Sequence, residues 1–342
     1  TTGISNVGVG VSALNANTTA SQNTAIGFRT LTTNTGTQNT ALGCASQYNT
    51  TTGNYNTSVG RESLQANTTG SSNTALGTDA LQINTTGSYN VAIGHDAADN
   101  NTTGSYCVAI GYKALEDNNA NHNVAIGYEC AYNNSTGINN VSMGTQTFST
   151  NTTGGANTAI GANALKNSST TDNNTAVGSS ALRDTTTGGH NTAVGMDAST
   201  NNLNGMYNVA VGRDALFTNT TGDNNVAIGA FALYAANWSD DSDAYNTAVG
   251  YNASGVLTTA VQNSTFGGQA GKAITTGDGN VAVGYVAMYE LTTGGYNTAI
   301  GRDAGGNVTT GSGNCLLGQD AGKSGSPSGA ISTGSNNMVL GN

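Results

Sequence analysis

The chain reads as an all-β protein, a β-solenoid: a parallel β-roll of about twenty stacked coils. Three observations predict it. A pentapeptide Asn-(Thr/Val)-Ala-(Ile/Val/Leu)-Gly recurs along all 342 residues, and its first position falls on residues 6, 23, 39 and 56 through to 314 and 337. Fifteen of the nineteen intervals between copies are 17 residues, two are 16, one is 21 and one is 23. Composition rules out the thick-cored folds, with 49 glycines, 8% charged and 6% aromatic residues, one Pro and one Trp. A two-layer domain needs far more Leu, Ile and Phe. Disorder would bring the charge and proline that are scarce here.

Each coil can be followed on Asn90 to Tyr106. Asn90-Val91-Ala92-Ile93-Gly94 alternates as a strand does, so Val91 and Ile93 face one way and Ala92 the other. The aliphatic fourth position, from Val9 and Ile26 to Met143, Phe266 and Leu340, is expected to fill the interior. Ile93, Ile110, Ile126, Val177, Val211 and Ile300 are therefore predicted to be buried, with the Ala92 column as a flat outer face. His95-Asp96 make a polar corner, and Ala97-Ala98 form a second apolar pair, seen as Ala80-Leu81, Ala114-Leu115 and Ala215-Leu216 elsewhere. That pair predicts a second short strand. Asn101-Thr102-Thr103-Gly104 closes the coil with turn residues. Stacking at about 4.8 Å would make twenty coils a rod on the order of 95 Å long. The asparagines then form a hydrogen-bonded column, and Tyr55, Tyr89, Tyr106, Tyr207, Tyr245 and Tyr296 form ladders at the rim. The array runs over 1–342 as a single domain, broken by insertions near 230–245 and 319–336. It opens on Thr1 inside a repeat and reads as a piece of a longer chain.

Nine basic against nineteen acidic residues give a net charge of −10. That disfavours nucleic acid and an anionic membrane surface, since both need clustered Lys and Arg. No apolar run reaches the roughly 18 residues of a membrane span. Catalysis is not expected: no nucleophile–base arrangement stands out, and pieces such as Gly8-Val9-Gly10 belong to the repeat rather than to a phosphate loop. The expectation is a non-enzyme without a cofactor.

Units of the form Asn73-Thr74-Ala75-Leu76-Gly77 and Asn297-Thr298-Ala299-Ile300-Gly301, spaced by an Asp-Ala-Leu stretch and Asn-Thr-Thr-Gly, resemble repeats of bacterial and phage tail-fibre proteins. The core pentapeptide is also similar to the head repeats of trimeric autotransporter adhesins, although those heads use a shorter coil. The resemblance implies a left-handed parallel β-roll, three of which pack into a homotrimer. It also implies a location that is extracellular, at a cell surface or on a virion fibre, and a role in adhesion to a surface glycan or receptor. A small-residue outer face on a thin coil points to self-association independently. The reading is thus a structural fibre or adhesin segment. Its alternative is an ice-binding or calcium-stiffened ligand module.

Several residues are candidates for more than structure. Acidic side chains recur two places after the pentapeptide glycine, and Asp79, Asp96, Asp214 and Asp303 are the weak candidates for calcium. A solvated face explains them as well, with Arg61, Arg213 and Arg302 nearby. His95, His122 and His190 share no cluster, and the last two occupy the slot that elsewhere holds Tyr. Cys44, Cys107, Cys130 and Cys315 fall at four different repeat positions and suggest neither zinc nor disulfides. Asn67, Asn84, Asn101, Asn151 and Asn219 head Asn-x-Thr sequons in the turn, open to glycosylation or simply good turn chemistry. Adjacent threonines raise the ice-binding idea, weakened because Thr102 and Thr103 sit in a turn. Recognition by a partner needs something that breaks the repeat. Trp238, Asp240, Asp241 and Asp243 lie in one insertion and Pro327 in the other, so Trp238 is either an exposed candidate anchor or the cap of a local gap in a tolerated insertion.

Overall fold

The computed structural model describes residues 2–238, 243–324 and 329–341. The described residues contain strands and turns and no helix. The chain forms two compact units, residues 1–172 and 173–342. Each is a parallel β-solenoid.

The first unit carries strands β1 (Val7–Val9) to β10 (Thr158–Ile160), one per coil and three residues each. Neighbouring strands pair parallel and in register, as Val91↔Val108, Ala92↔Ala109 and Ile93↔Ile110 do. The second unit repeats this with β11 (Thr175–Val177) to β20 (Met338–Leu340), for example Ala282↔Ala299. Short Val/Thr-Ala-Ile runs make strands here because each has an identical run above and below it, which supplies the backbone partners a lone tripeptide lacks.

The second predicted strand is not one. At Ala80-Leu81 the chain turns, with Asp79 at φ 57° and Leu81 at φ 52°, and every coil with a side chain at these two positions repeats this alternation. Left-handed residues cost about 1–2 kcal/mol each. Here they turn alternate amides toward opposite neighbours: Asp79 N–H donates to Arg61 O at 3.0 Å and Leu81 N–H to Ala97 O at 3.0 Å. The turn is thereby laddered to the coils on both sides. The pentapeptide glycine is a necessity of stacking. A Cβ on Gly77 would sit 2.3 Å from the Gly94 carbonyl oxygen, at a φ of +141°.

The interior is the reverse of the expectation. Ala92, Ala109 and Ala125 are fully buried, and so are Ala80, Leu81, Ala114 and Leu115 from the opposite wall. Ile93, Ile110, Ile126, Val177 and Val211 are only partly covered, and Ile300 is 45% exposed. Thus the alanine column points in and the aliphatic column out. Volume decides this. A coil of 17 residues encloses one layer of side chains, and the turn Leu nearly fills it. The exceptions trade volume across the interior. Where the strand contributes Leu316, the turn position is Gly305 in the preceding coil and Gly322 in the same one. A Cβ on either would lie 2.8 Å from Leu316. Where the strand contributes Gly8, its Cβ position faces Leu14 Cδ1 at 3.5 Å.

The rest of the interior is amide. Each pentapeptide Asn accepts the backbone N–H of the next one, as Asn56 Oδ1 does from Asn73 N and Asn73 Oδ1 from Asn90 N, at 2.9 and 3.0 Å. Its Nδ2 donates to the turn-glycine carbonyl, Asn73 to Gly87 O at 2.9 Å. In the second unit Asn280, Asn297 and Asn314 continue the same ladder. The expected asparagine column is present and buried.

Candidate functional site

The acidic position two places after the glycine lies on the left-handed turn, which directs its side chain outward. Three groups meet there: ligand atoms of Asp79, His95 and Asp96 all lie within 4.8 Å of one another. These residues could hold a cation, yet basic side chains of the chain already face the carboxylates. Arg61 Nη2 is 2.8 Å from Asp79 Oδ2, His95 Nδ1 is 2.8 Å from Asp96 Oδ2, and Lys113 Nζ is 3.9 Å from it. Asp214 meets Arg213 at 2.9 Å, and Asp303 pairs with Lys323. Two of the four calcium candidates are thus brought together, and each of the four has a basic partner.

Beside this cluster stands Asp99, which the sequence reading passed over. Its Oδ1 is buried with no hydrogen-bond partner among the described residues. Burial, then the neighbouring carboxylates of Asp96, Asp79 and Glu116, push its pKa up from an ordinary 3.8 to about 6. A carboxyl whose folded pKa is raised favours the fold while protonated and loses that contribution as pH rises from about 4 through 6. Asp99→Asn should therefore raise the thermal midpoint at pH 7 and leave it unchanged near pH 3.5. Equal gains at both pH values would show that the charge is not the cause.

Trp238 is not exposed. It is 4% accessible, its Nε1 donates to Thr259 O at 3.0 Å, and its ring covers Gly222, where a Cβ would lie 2.2 Å from Cε3. The indole fills the slot that a turn glycine occupies in a regular coil, so it packs the insertion as the gap-capping reading expects and is not an exposed anchor. Asp243 accepts from Asn224 Nδ2 at 2.6 Å. Asp240, Asp241 and Pro327 lie outside the described residues.

The glycosylation candidates are also interior. Asn67, Asn84, Asn101, Asn151 and Asn219 are fully buried. Asn84 Nδ2 donates to Asn67 Oδ1 and to Gly87 O, both at 3.0 Å, which uses both of its hydrogens. Asn151 and Asn219 bond in the same two directions. A sugar on such a nitrogen would need the turn to open. The threonine that follows is similarly committed: Thr51, Thr68 and Thr85 hydroxyls donate to the next coil's carbonyl at 2.9 Å. That engages the turn hydroxyls, whereas the strand threonines Thr40, Thr57 and Thr74 stay exposed at one coil position.

The rim ladders form where the repeat places aromatic rings at one position in adjacent coils. Tyr89, Tyr106 and His122 stack at 4.9 and 5.0 Å, and His190 stacks on Tyr207 at 4.9 Å. His122 and His190 thus fill Tyr places. Cys44, Cys107, Cys130 and Cys315 are all free thiols. Cys107 stands in an asparagine place, takes the Asn90 Oδ1 bond through its backbone at 2.9 Å, and has its thiol pKa pushed up by burial.

One feature was readable but missed. The tenth coil position, counted from the pentapeptide Asn, carries Gly only at 255 and 306. A cleft of about 210 Å³ is lined by Gly306 and one of about 240 Å³ by Val256, the residue after Gly255, and Tyr289 lines both. Aligning the repeats by column would have exposed both gaps.

No protein-family model matches this chain, and no curated protein matches it.

Proposed function

We propose that this chain is a non-enzymatic fibre segment, extracellular at a cell surface or on a virion, which associates as a homotrimer of left-handed coils and serves attachment or display. The outward aliphatic column supports this reading most. In the first unit Ile26, Leu42, Leu76, Met143 and Ile160 are exposed large apolar residues at one coil position. Val194, Ile228, Phe266, Ile300 and Leu317 repeat this in the second unit. Scattered apolar residues are ordinary on a surface, but a contiguous stripe marks an interface. A face of the same character on every copy suits a closed ring of identical chains. The interface therefore uses the Ile/Val column, not the Ala column, which is interior.

Light scattering on the eluting protein tests this. The expected mass is three times that of the 34.1 kDa chain. Ile93→Lys, Ile110→Lys and Ile126→Lys together should give a monomer with an unchanged β circular-dichroism spectrum, because these side chains point away from the coil interior. A monomeric parent protein would overturn the proposal.

A further inference from the structure

The two glycines at the tenth position lie in the second unit and interrupt a column that otherwise carries side chains in every coil. Elsewhere in that unit the column stacks aromatic rings: Phe217 and Tyr234 lie 5.4 Å apart and 9° from parallel. Tyr289 has Lys272 on one side, with Nζ 5.1 Å from the ring centroid and 3.1 Å from the hydroxyl. On its other side the next rung is Gly306, and the one after is Lys323. Two coil spacings, about 9.6 Å, separate the Tyr289 and Lys323 levels. A flat ring in van der Waals contact on both faces needs about 7–8 Å. One rung of the ladder is therefore missing, and the cleft of about 210 Å³ occupies that place.

The chemistry of its walls is specific. Tyr289 offers an uncovered ring face. Asp303 leans over Gly306, its Oδ1 2.1 Å from where a Cβ would stand, and pairs with Lys323. Gln269, Glu290, Asn307 and the apolar Val286 complete the lining. An aromatic face attracts a patch of C–H groups, whereas planar amides and carboxylates around it bind hydroxyls, often in pairs. A purely aromatic ligand would leave those polar groups unpaired. We infer that the vacated rung between Tyr289 and Lys323 binds a single pyranose unit of a glycan, stacked on Tyr289 with its hydroxyls held by Asp303, Glu290, Gln269 and Asn307. The inference deepens the attachment reading, and rests on it for its biological sense, by naming the class of molecule attached.

Saturation-transfer NMR tests it, using D-glucose, D-galactose, D-mannose and N-acetyl-D-glucosamine at millimolar concentration with the whole chain. At least one sugar should receive saturation on its ring protons. Tyr289→Ala should reduce that signal at least tenfold. Gly306→Phe should do the same by restoring the missing rung, as Phe217 does beside Tyr234, and by displacing the Asp303 carboxylate from that place. No transfer to any of the four sugars would overturn the inference, as would transfer retained in either variant. The two proposals fail separately. A trimer without sugar binding leaves the fibre reading standing, and a monomer that binds sugar leaves the cleft standing.

Discussion

Asn73→Asp is expected to unfold the coils around it at neutral pH. The substitution changes almost no volume and is conservative by that measure. Asn73 is fully buried, its Oδ1 accepts from Asn90 N at 3.0 Å, and its Nδ2 donates to Gly87 O at 2.9 Å. Aspartate keeps the first bond and turns the second into two oxygens facing each other at hydrogen-bond distance. A buried charge left without a partner costs about 3–5 kcal/mol. The penalty belongs to the ionised form, so the folded-state pKa of the new carboxyl lies above its unfolded value of about 3.9. Its protonated form can donate to Gly87 O, so the deficit relative to the parent should shrink as pH falls through the raised folded-state value and be smallest below about 4. Because stacked repeats open locally, amide exchange in the coils from Asn56 to Cys107 is the suitable readout, compared at pH 7 and pH 3.5. Exchange equal to the parent at pH 7 would remove the asparagine ladder from the account of stability.

Ala109→Leu should be nearly as damaging, and its rescue is specific. Ala109 is fully buried, and the turn wall opposite it supplies Leu115 from the same coil and Ala98 from the coil before. Inserting an isobutyl group into a filled interior costs about 1–3 kcal/mol. The coil around Leu316 shows the compensation, with Gly305 and Gly322 at those two turn positions. Ala109→Leu combined with Leu115→Gly and Ala98→Gly should recover most of the lost thermal stability. Both turn positions already have positive φ, at 51°, which glycine adopts without strain. If the triple variant is no more stable than Ala109→Leu alone, shared interior volume is not what sets the strand's facing. Ile110, one residue along, gives the contrast. It points outward, so a polar substitution there should disturb association and leave the coil intact.

Much was legible from residue order alone. The 17-residue period, the position of each strand, the parallel in-register stacking, the asparagine column and the Tyr/His ladders all follow from repetition. Once identical units stack, identical positions must lie above one another. Three things did not follow. An alternating tripeptide such as Val91-Ala92-Ile93 has two faces, and hydrophobicity favours turning Ile inward. Only the opposite wall, where Leu81 and Leu115 already fill the layer, sends it out. The Ala-Leu pair reads as a strand because apolar pattern carries no sign of φ. Leu81 takes 52° since that backbone lets alternate amides reach both neighbouring coils. Glycosylation at the turn asparagines and an exposed Trp238 stay open readings in the sequence because loops usually lie at the surface. These side chains are interior because a coil this narrow has few places to satisfy its turn carbonyls and close its gaps other than inside, as Asn84 does with Gly87 O and Trp238 does over Gly222. The sequence by itself determined what repeats and where. Which side of each coil is inside was decided by volume and hydrogen-bond accounting across the coil, between residues six to fourteen apart that no local pattern connects.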